Sequence, residues 1–225
     1  MRTPTRPQSY FRYPLNRVLA SEGAVRIIRE LARHGRERSV PALARATKLS
    51  AQAIRNVLTD LTTIGIVEAI GQERTVLYRL QSAHPLHRPL AHLFEEEENR
   101  VTRVLAALRE TATEADPEAL AVWVYGSTAR GDDKPASDID VVLVTSNNDV
   151  ESASATYKEA LSGVTDAERV SLSVVGLSQA DVRRLATEKD PWWQNLVGDA
   201  QPVVGPPPDI LATTLAATER RKRVA

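Results

Sequence analysis

V-W-V-Y-G-S-T-A-R-G-D-D-K-P-A-S-D-I-D-V-V-L-V, residues 122–144, joins an apolar strand to a second apolar strand through a glycine-marked turn. Asp138 and Asp140 stand two apart at the head of Val141-Val142-Leu143-Val144, a run with the composition of a buried strand. Alternation along a strand sends both carboxylates to one face and Ile139 to the other, into the core. Two ionised carboxylates held that close repel each other and are costly to desolvate, so the arrangement makes physical sense with a divalent cation between them. Hard oxygen ligands of this kind suit magnesium or manganese.

Upstream, the apolar run of residues 120–125 stops at Gly126-Ser127, a pair that permits close backbone approach and offers a hydroxyl. A short helix opening at Ser127 would turn unpaired N–H groups toward the carboxylates, and Arg130 would add charge-assisted hydrogen bonds to a phosphate. Gly131 then releases the chain. The competing reading is a hairpin-like turn with an aspartate-rich rim. The combination of glycine, serine, arginine and paired aspartates favours a phosphate and metal site.

Gly126-Ser127, ten intervening residues and Asp138-Ile139-Asp140 resemble the minimal nucleotidyltransferase signature of the polymerase-beta-like superfamily. The resemblance implies that Gly126 and Ser127 grip a nucleoside triphosphate and that Asp138 and Asp140 are the catalytic, metal-holding pair. It implies transfer of an NMP to a hydroxyl or similar acceptor with loss of pyrophosphate, chemistry that rests on positioning and on metal-neutralised charge. The pattern departs at a third carboxylate, which many active members carry on a later strand. The matching segment, residues 169–175, places Ser171 and Ser173 at the outward positions. A serine hydroxyl is a poor general base and a weak metal ligand at neutral pH. Asp166 and Glu168 lie nearby and read as part of a solvated loop; either could reach the site only if the strand began earlier.

The 225 residues and 42% hydrophobic content allow two domains with real cores. With no cysteine the chain has neither disulfides nor thiolate metal sites, which fits a reducing cytoplasm. No apolar run approaches the roughly 20 residues that span a bilayer, so no membrane partner is expected. Residues 1–15 carry arginines with no apolar core after them, and read as a flexible basic arm rather than a secretory signal.

Zero net charge conceals a division. Residues 1–94 hold 15 Lys/Arg against 6 Asp/Glu, and residues 95–225 hold 14 against 23. A basic first part suits a polyanionic partner. Its helical pattern is regular: residues 23–34 put Val25, Ile27, Ile28, Leu31 and Ala32 on one stripe closed by Gly35, Ser39 caps a short helix with Pro41 in its first turn, and Ser50 caps a third over residues 51–64, ended by Gly65. Two alternating runs, residues 66–70 and 75–80, joined through Gly71 to Arg74, read as a hairpin.

Helix, helix, helix, hairpin over residues 16–80 resembles the winged helix-turn-helix domains of MarR- and ArsR-like transcription regulators, a match of pattern rather than of single residues. The resemblance implies double-stranded DNA as partner and a homodimer. The third helix would enter the major groove with Gln52, Arg55 and Asn56 toward the bases, while Arg45, Lys48 and, on the wing, Arg74 meet phosphate or minor groove. The alternative is a winged helix used for protein interaction or dimerisation.

The expected organisation is an α+β two-domain chain: the arm, a winged helix-turn-helix domain over 16–82, a proline-broken linker and connecting helix over 83–115, and an α/β nucleotidyltransferase fold with a small mixed sheet over 116–225. Glu95 to Glu98 read as a solvated turn of the connecting helix. Further elements are a helix over 150–162, a strand over 170–175, a helix over 178–186, an edge strand at Val203-Val204 and a terminal helix over 209–223. Trp192 and Trp193 read as core completion more than base stacking. Two functions fit this reading. One is a DNA-binding nucleotidyltransferase with NTP and Mg2+ or Mn2+; the other is a non-catalytic transcription regulator that senses nucleotide, favoured by the missing third carboxylate.

Overall fold

The computed structural model describes residues 8–71, 76–114, 119–146 and 149–224. The chain divides into two compact units, residues 1–99 and 100–225, with the division falling inside one helix.

In the first unit a short helix α1 (Leu15–Val18) precedes α2 (Glu22–His34). The Ser21 hydroxyl accepts from the Ala24 N–H, and Gly35 closes α2 in the left-handed conformation. A two-residue strand β1 (Arg38–Ser39) runs into α3 (Val40–Thr47), capped by Ser39 with Pro41 in its first turn. Lys48 takes the left-handed turn and Ser50 caps α4 (Ala51–Ile64), which ends at Gly65 as the apolar spacing predicts. Strands β2 (Val67–Ile70) and β3 (Leu77–Leu80) pair antiparallel, and β1 adds to the far side of β3. Two residues carry no readable alternation, so β1 has no signal in the sequence. The turn between β2 and β3, with Arg74, lies outside the described residues. Ile27, Ile28, Leu31, Leu43, Ile54, Leu58 and Leu61 bury the facing stripes of the three helices in one core.

Helix α5 (His87–Glu114) begins earlier than the proline-broken linker suggested. Pro89 falls in its first turn, where a missing N–H costs no intrahelical hydrogen bond. The expected solvated turn at Glu95 to Glu98 is half-committed to α2: the Arg29 guanidinium donates to both Glu97 oxygens (2.5 and 2.9 Å) and stacks over Phe94, and Arg33 pairs with Glu98.

The second unit contains β4 (Ala121–Tyr125), α6 (Gly126–Arg130), β5 (Ile139–Thr145), α7 (Val150–Ala160), α8 (Ser162–Glu168), β6 (Leu172–Ser178), α9 (Gln179–Glu188), α10 (Pro191–Asp199), β7 (Gln201–Val204) and α11 (Pro208–Val224). The sheet order is β6-β5-β4-β7. β5 and β6 run parallel, joined by a crossover through α7 and α8; β4 pairs antiparallel with both β5 and β7. This is the small mixed sheet expected, with Val203 and Val204 on its edge strand. Val122, Val124, Val141 and Leu143 pack on one face with Leu108, Tyr157 and Leu161. Ala121, Trp123, Val142 and Val144 pack on the other with Val182, Leu185, Trp193 and Leu196. The helix expected over 150–162 breaks at Leu161, and residues 162–168 form α8 rather than a loop. Gly176 in β6 admits α7 closely: a Cβ there would overlap Ser154 and Val150. Among the described residues no helix is long and apolar enough to cross a membrane.

Candidate functional site

The antiparallel register of β4 and β5 sets Tyr125 opposite Asp140, so the chain leaves β4 and turns into α6 beside the head of β5. Gly126 makes that turn at φ +72°, and a Cβ on it would lie 2.5 Å from Asp140 Oδ2. Glycine is required twice at this position, by backbone conformation and by the carboxylate against it. Ser127 follows in the first turn of α6, which no side chain caps. Gly131 ends it in the left-handed conformation, its N–H donating to the Ser127 and Thr128 carbonyls.

Asp138 lies exposed just before β5, and Asp140 is half-buried within it. Burial raises the Asp140 carboxyl above its ordinary value, and the charge of Asp138 raises it further; Arg130 opposes them. Asp140 therefore feels the charge of Asp138, the condition that a divalent cation relieves. Among the described residues no group of three or more His, Asp or Glu side chains is placed to hold a metal. Two carboxylates alone fit magnesium, which is commonly held by one or two of them with substrate phosphates and water supplying the rest.

Arg130 is not left open for a phosphate. Its guanidinium pairs with Asp199 at the end of α10 and with Asp132, and these bonds raise its pKa. Half of the side chain remains exposed, at 46%.

The strand expected over 170–175 to carry a third carboxylate forms as β6 over Leu172–Ser178, which leaves Ser171 before its start and sets Ser173 in register beside Asp140. Glu168 does not supply the missing group: it ends α8, where its carboxylate accepts from Arg103 and its carbonyl from Arg100 at 2.6 Å. The Arg103 bond holds the Glu168 carboxyl below its ordinary value. Asp166 sits exposed on the same helix.

Asp199 and Gln201 carry no expectation from the sequence, and Trp192 is expected from it to complete the core. Trp192 stands edge-on to Tyr125, with centroids 5.8 Å apart and planes at 88°. The Tyr125 phenol is pushed up by burial and by Asp140. Asp199 holds Arg130, and the Gln201 amide donates to the Ala129 carbonyl at 2.6 Å, tying β7 to α6. A signal for this helix was present: Asp190 before Pro191 is a cap followed by a first-turn proline, and its carboxylate accepts from the Trp192 and Trp193 N–H groups. Trp193 packs 6.1 Å from Trp123 inside the core.

In the first unit, Gln52, Arg55 and Asn56 lie exposed on α4, opposite the buried Ile54, Leu58 and Leu61. The Gln52 amide donates to Asn56 Oδ1 at 2.9 Å. Arg45 is exposed on α3 and Lys48 in the turn after it.

The family profile described as "Polymerase beta, Nucleotidyltransferase" matches residues 108–190. No curated protein sequence matches the chain. Among solved structures, a toxin-antitoxin with AMP-PNP is similar at 16% identity and a TM-score of 0.35, over 56% of this chain and 90% of that one. A MntA-HpeT toxin-antitoxin mutant carrying two aspartate-to-glutamate changes is similar at 13% identity and a TM-score of 0.35, over 55% and 88%. The profile match spans β4, the glycine turn and β5, so that residues 108–190 carry a polymerase-beta-like nucleotidyltransferase domain.

Proposed function

We propose that the second unit binds a nucleoside triphosphate with Mg2+ or Mn2+ and transfers an NMP to an acceptor, while the first unit is a winged helix-turn-helix that binds double-stranded DNA as a homodimer. The observation that carries the transferase half is the close approach of Gly126 to Asp140, which leaves a backbone turn and a carboxylate sharing one small space. In this reading Asp138 and Asp140 are the metal ligands, Gly126 and Ser127 meet the phosphates through backbone and hydroxyl, and Arg130 trades its partners, the exposed Asp132 and the half-buried Asp199, for a phosphate oxygen. Bound metal supplies charge neutralisation and activation of the attacking oxygen. The DNA half is supported by the basic excess of residues 1–94 and by the exposed polar face of α4.

A second reading keeps nucleotide and metal binding without turnover, making the protein a nucleotide-sensing transcription regulator. Ser173 beside Asp140 favours it, because the position next to the pair offers no general base.

Calorimetric titration of ATP and GTP with magnesium into wild-type and Asp138→Ala/Asp140→Ala protein, with pyrophosphate assayed in the same samples, tests both. Affinity lost by ten-fold or more in the variant, with pyrophosphate released by the wild type, supports the transferase. The same loss without pyrophosphate, across a panel of hydroxyl acceptors, supports the sensor. Equal binding by the two proteins overturns the aspartate site.

A further inference from the structure

A cavity of about 470 Å³ opens in the second unit at the end of the sheet where β4 finishes and β5 begins. It is not the aspartate site. Val124 and Ile139, in its floor, belong to the sheet face that packs on Leu108 and Tyr157. Asp140 alternates to the other face, beside Tyr125 and Trp192. None of Gly126, Ser127, Arg130, Asp138 and Asp140 lines the cavity.

The chemistry of its walls is divided. Val104, Leu105, Val124 and Ile139 make an apolar floor, and Arg100, Lys134 and Arg169 stand around it with Asp133 as the one acidic side chain in the lining. With Arg100 counted against its partner Glu168, Lys134 and Arg169 face Asp133 and leave an excess of one positive charge. Arg100 is committed to Glu168, donating to its carbonyl at 2.6 Å and lying 3.8 Å from its carboxylate. Lys134 and Arg169 are exposed, and neither has an ion-pair partner among the described residues. The Thr128, Ser137 and Ser171 hydroxyls add donors at the same rim.

We propose that this cavity binds a small organic phosphate monoester with a flat or aliphatic apolar body, without a metal ion. A phosphate matches the Lys134 and Arg169 cations and the hydroxyl donors, and the apolar body matches the floor. The volume falls within the range of small-molecule pockets. The lining adjoins the aspartate site along the chain: Ile139 lies between the two aspartates, Thr128 follows Ser127, and Gln201, also in the lining, bonds the Ala129 carbonyl of α6.

The test is calorimetric titration of 1-naphthyl phosphate into full-length protein in EDTA, with inorganic phosphate and 1-naphthoate run alongside. We expect saturable binding of naphthyl phosphate at least ten-fold tighter than either reference compound. Asp138→Ala/Asp140→Ala protein should keep that affinity, and Lys134→Ala/Arg169→Ala protein should lose at least ten-fold of it with an unchanged melting temperature. Because Lys134→Ala alone disturbs only an exposed loop, an intermediate loss in that variant keeps the test valid should the double variant melt lower. No saturable binding, equal affinity for all three compounds, or loss with the aspartate pair instead of the cations overturns the proposal. The absence of metal makes the result independent of the transferase reading, whose failure shows only with ATP and magnesium.

Discussion

Gly126 is the residue on which the candidate site turns. Its φ of +72° costs an L-residue about 1–3 kcal/mol, and its Cβ would meet the Asp140 carboxylate. Gly126→Ala should lower the melting temperature by the equivalent of that cost and weaken magnesium-dependent nucleotide binding by ten-fold or more, both read by calorimetry. An alanine variant with wild-type affinity would remove the glycine turn from the site. The need for glycine was legible at this position, because an apolar strand that stops at Gly-Ser has few other uses. The partners of Arg130 were not legible: Asp199 is 69 positions away in the chain, and only the packing of α10 beside α6 brings them together. Glu168 gives the same lesson, since its pairing with Arg103 spans 65 positions.

At the scale of elements, capping decided where most helices begin. Ser21, Ser39, Ser50, Asp149, Ser178 and Asp190 each accept from a backbone N–H two or three residues on, and each stands in the sequence where a cap belongs. Ser178 and Asp181 form a full capping box at the start of α9. Ser178→Ala should cost about 1 kcal/mol in denaturant unfolding. The hydrogen bonds from Ser178, with a smaller part from Arg184, hold the Asp181 carboxyl below its ordinary value of 3.8. A folded value lower than the unfolded one means that ionised Asp181 adds stability above the ordinary value and loses it as pH falls through the folded value. Asp181→Asn should therefore melt a few degrees below wild type at pH 7, and the two should converge as pH drops below 3.8. Parallel melting curves at every pH would count against the box. Elements without a cap or a period escaped the sequence: β1 is two residues long, and α8 opens at Leu161 with no side-chain cap.

Across the whole molecule, the two halves differ in charge as they differ in fold. Residues 1–94 carry nine more cations than anions, counted as 15 against 6. Binding to a DNA fragment should fall steeply as salt is raised, and Arg55→Ala should weaken it by about 1–3 kcal/mol while leaving nucleotide affinity unchanged. A flat salt dependence in a mobility-shift titration would sink the DNA reading; equal loss of both affinities would deny separate sites. The sequence by itself determined helices α2 to α4 of the first unit, the strands β4 and β5, and the paired aspartates behind a glycine turn, because these rest on local periodicity, caps and conformational preference; α1 was not among them. Tertiary structure alone decided that Ser173 is the neighbour of Asp140, that Trp192 meets Tyr125, that Glu97 and Glu98 serve α2, and that a cationic cavity lies behind the aspartates. Each of these depends on strand register or on the packing of elements distant in the chain, and neither is written in a local pattern.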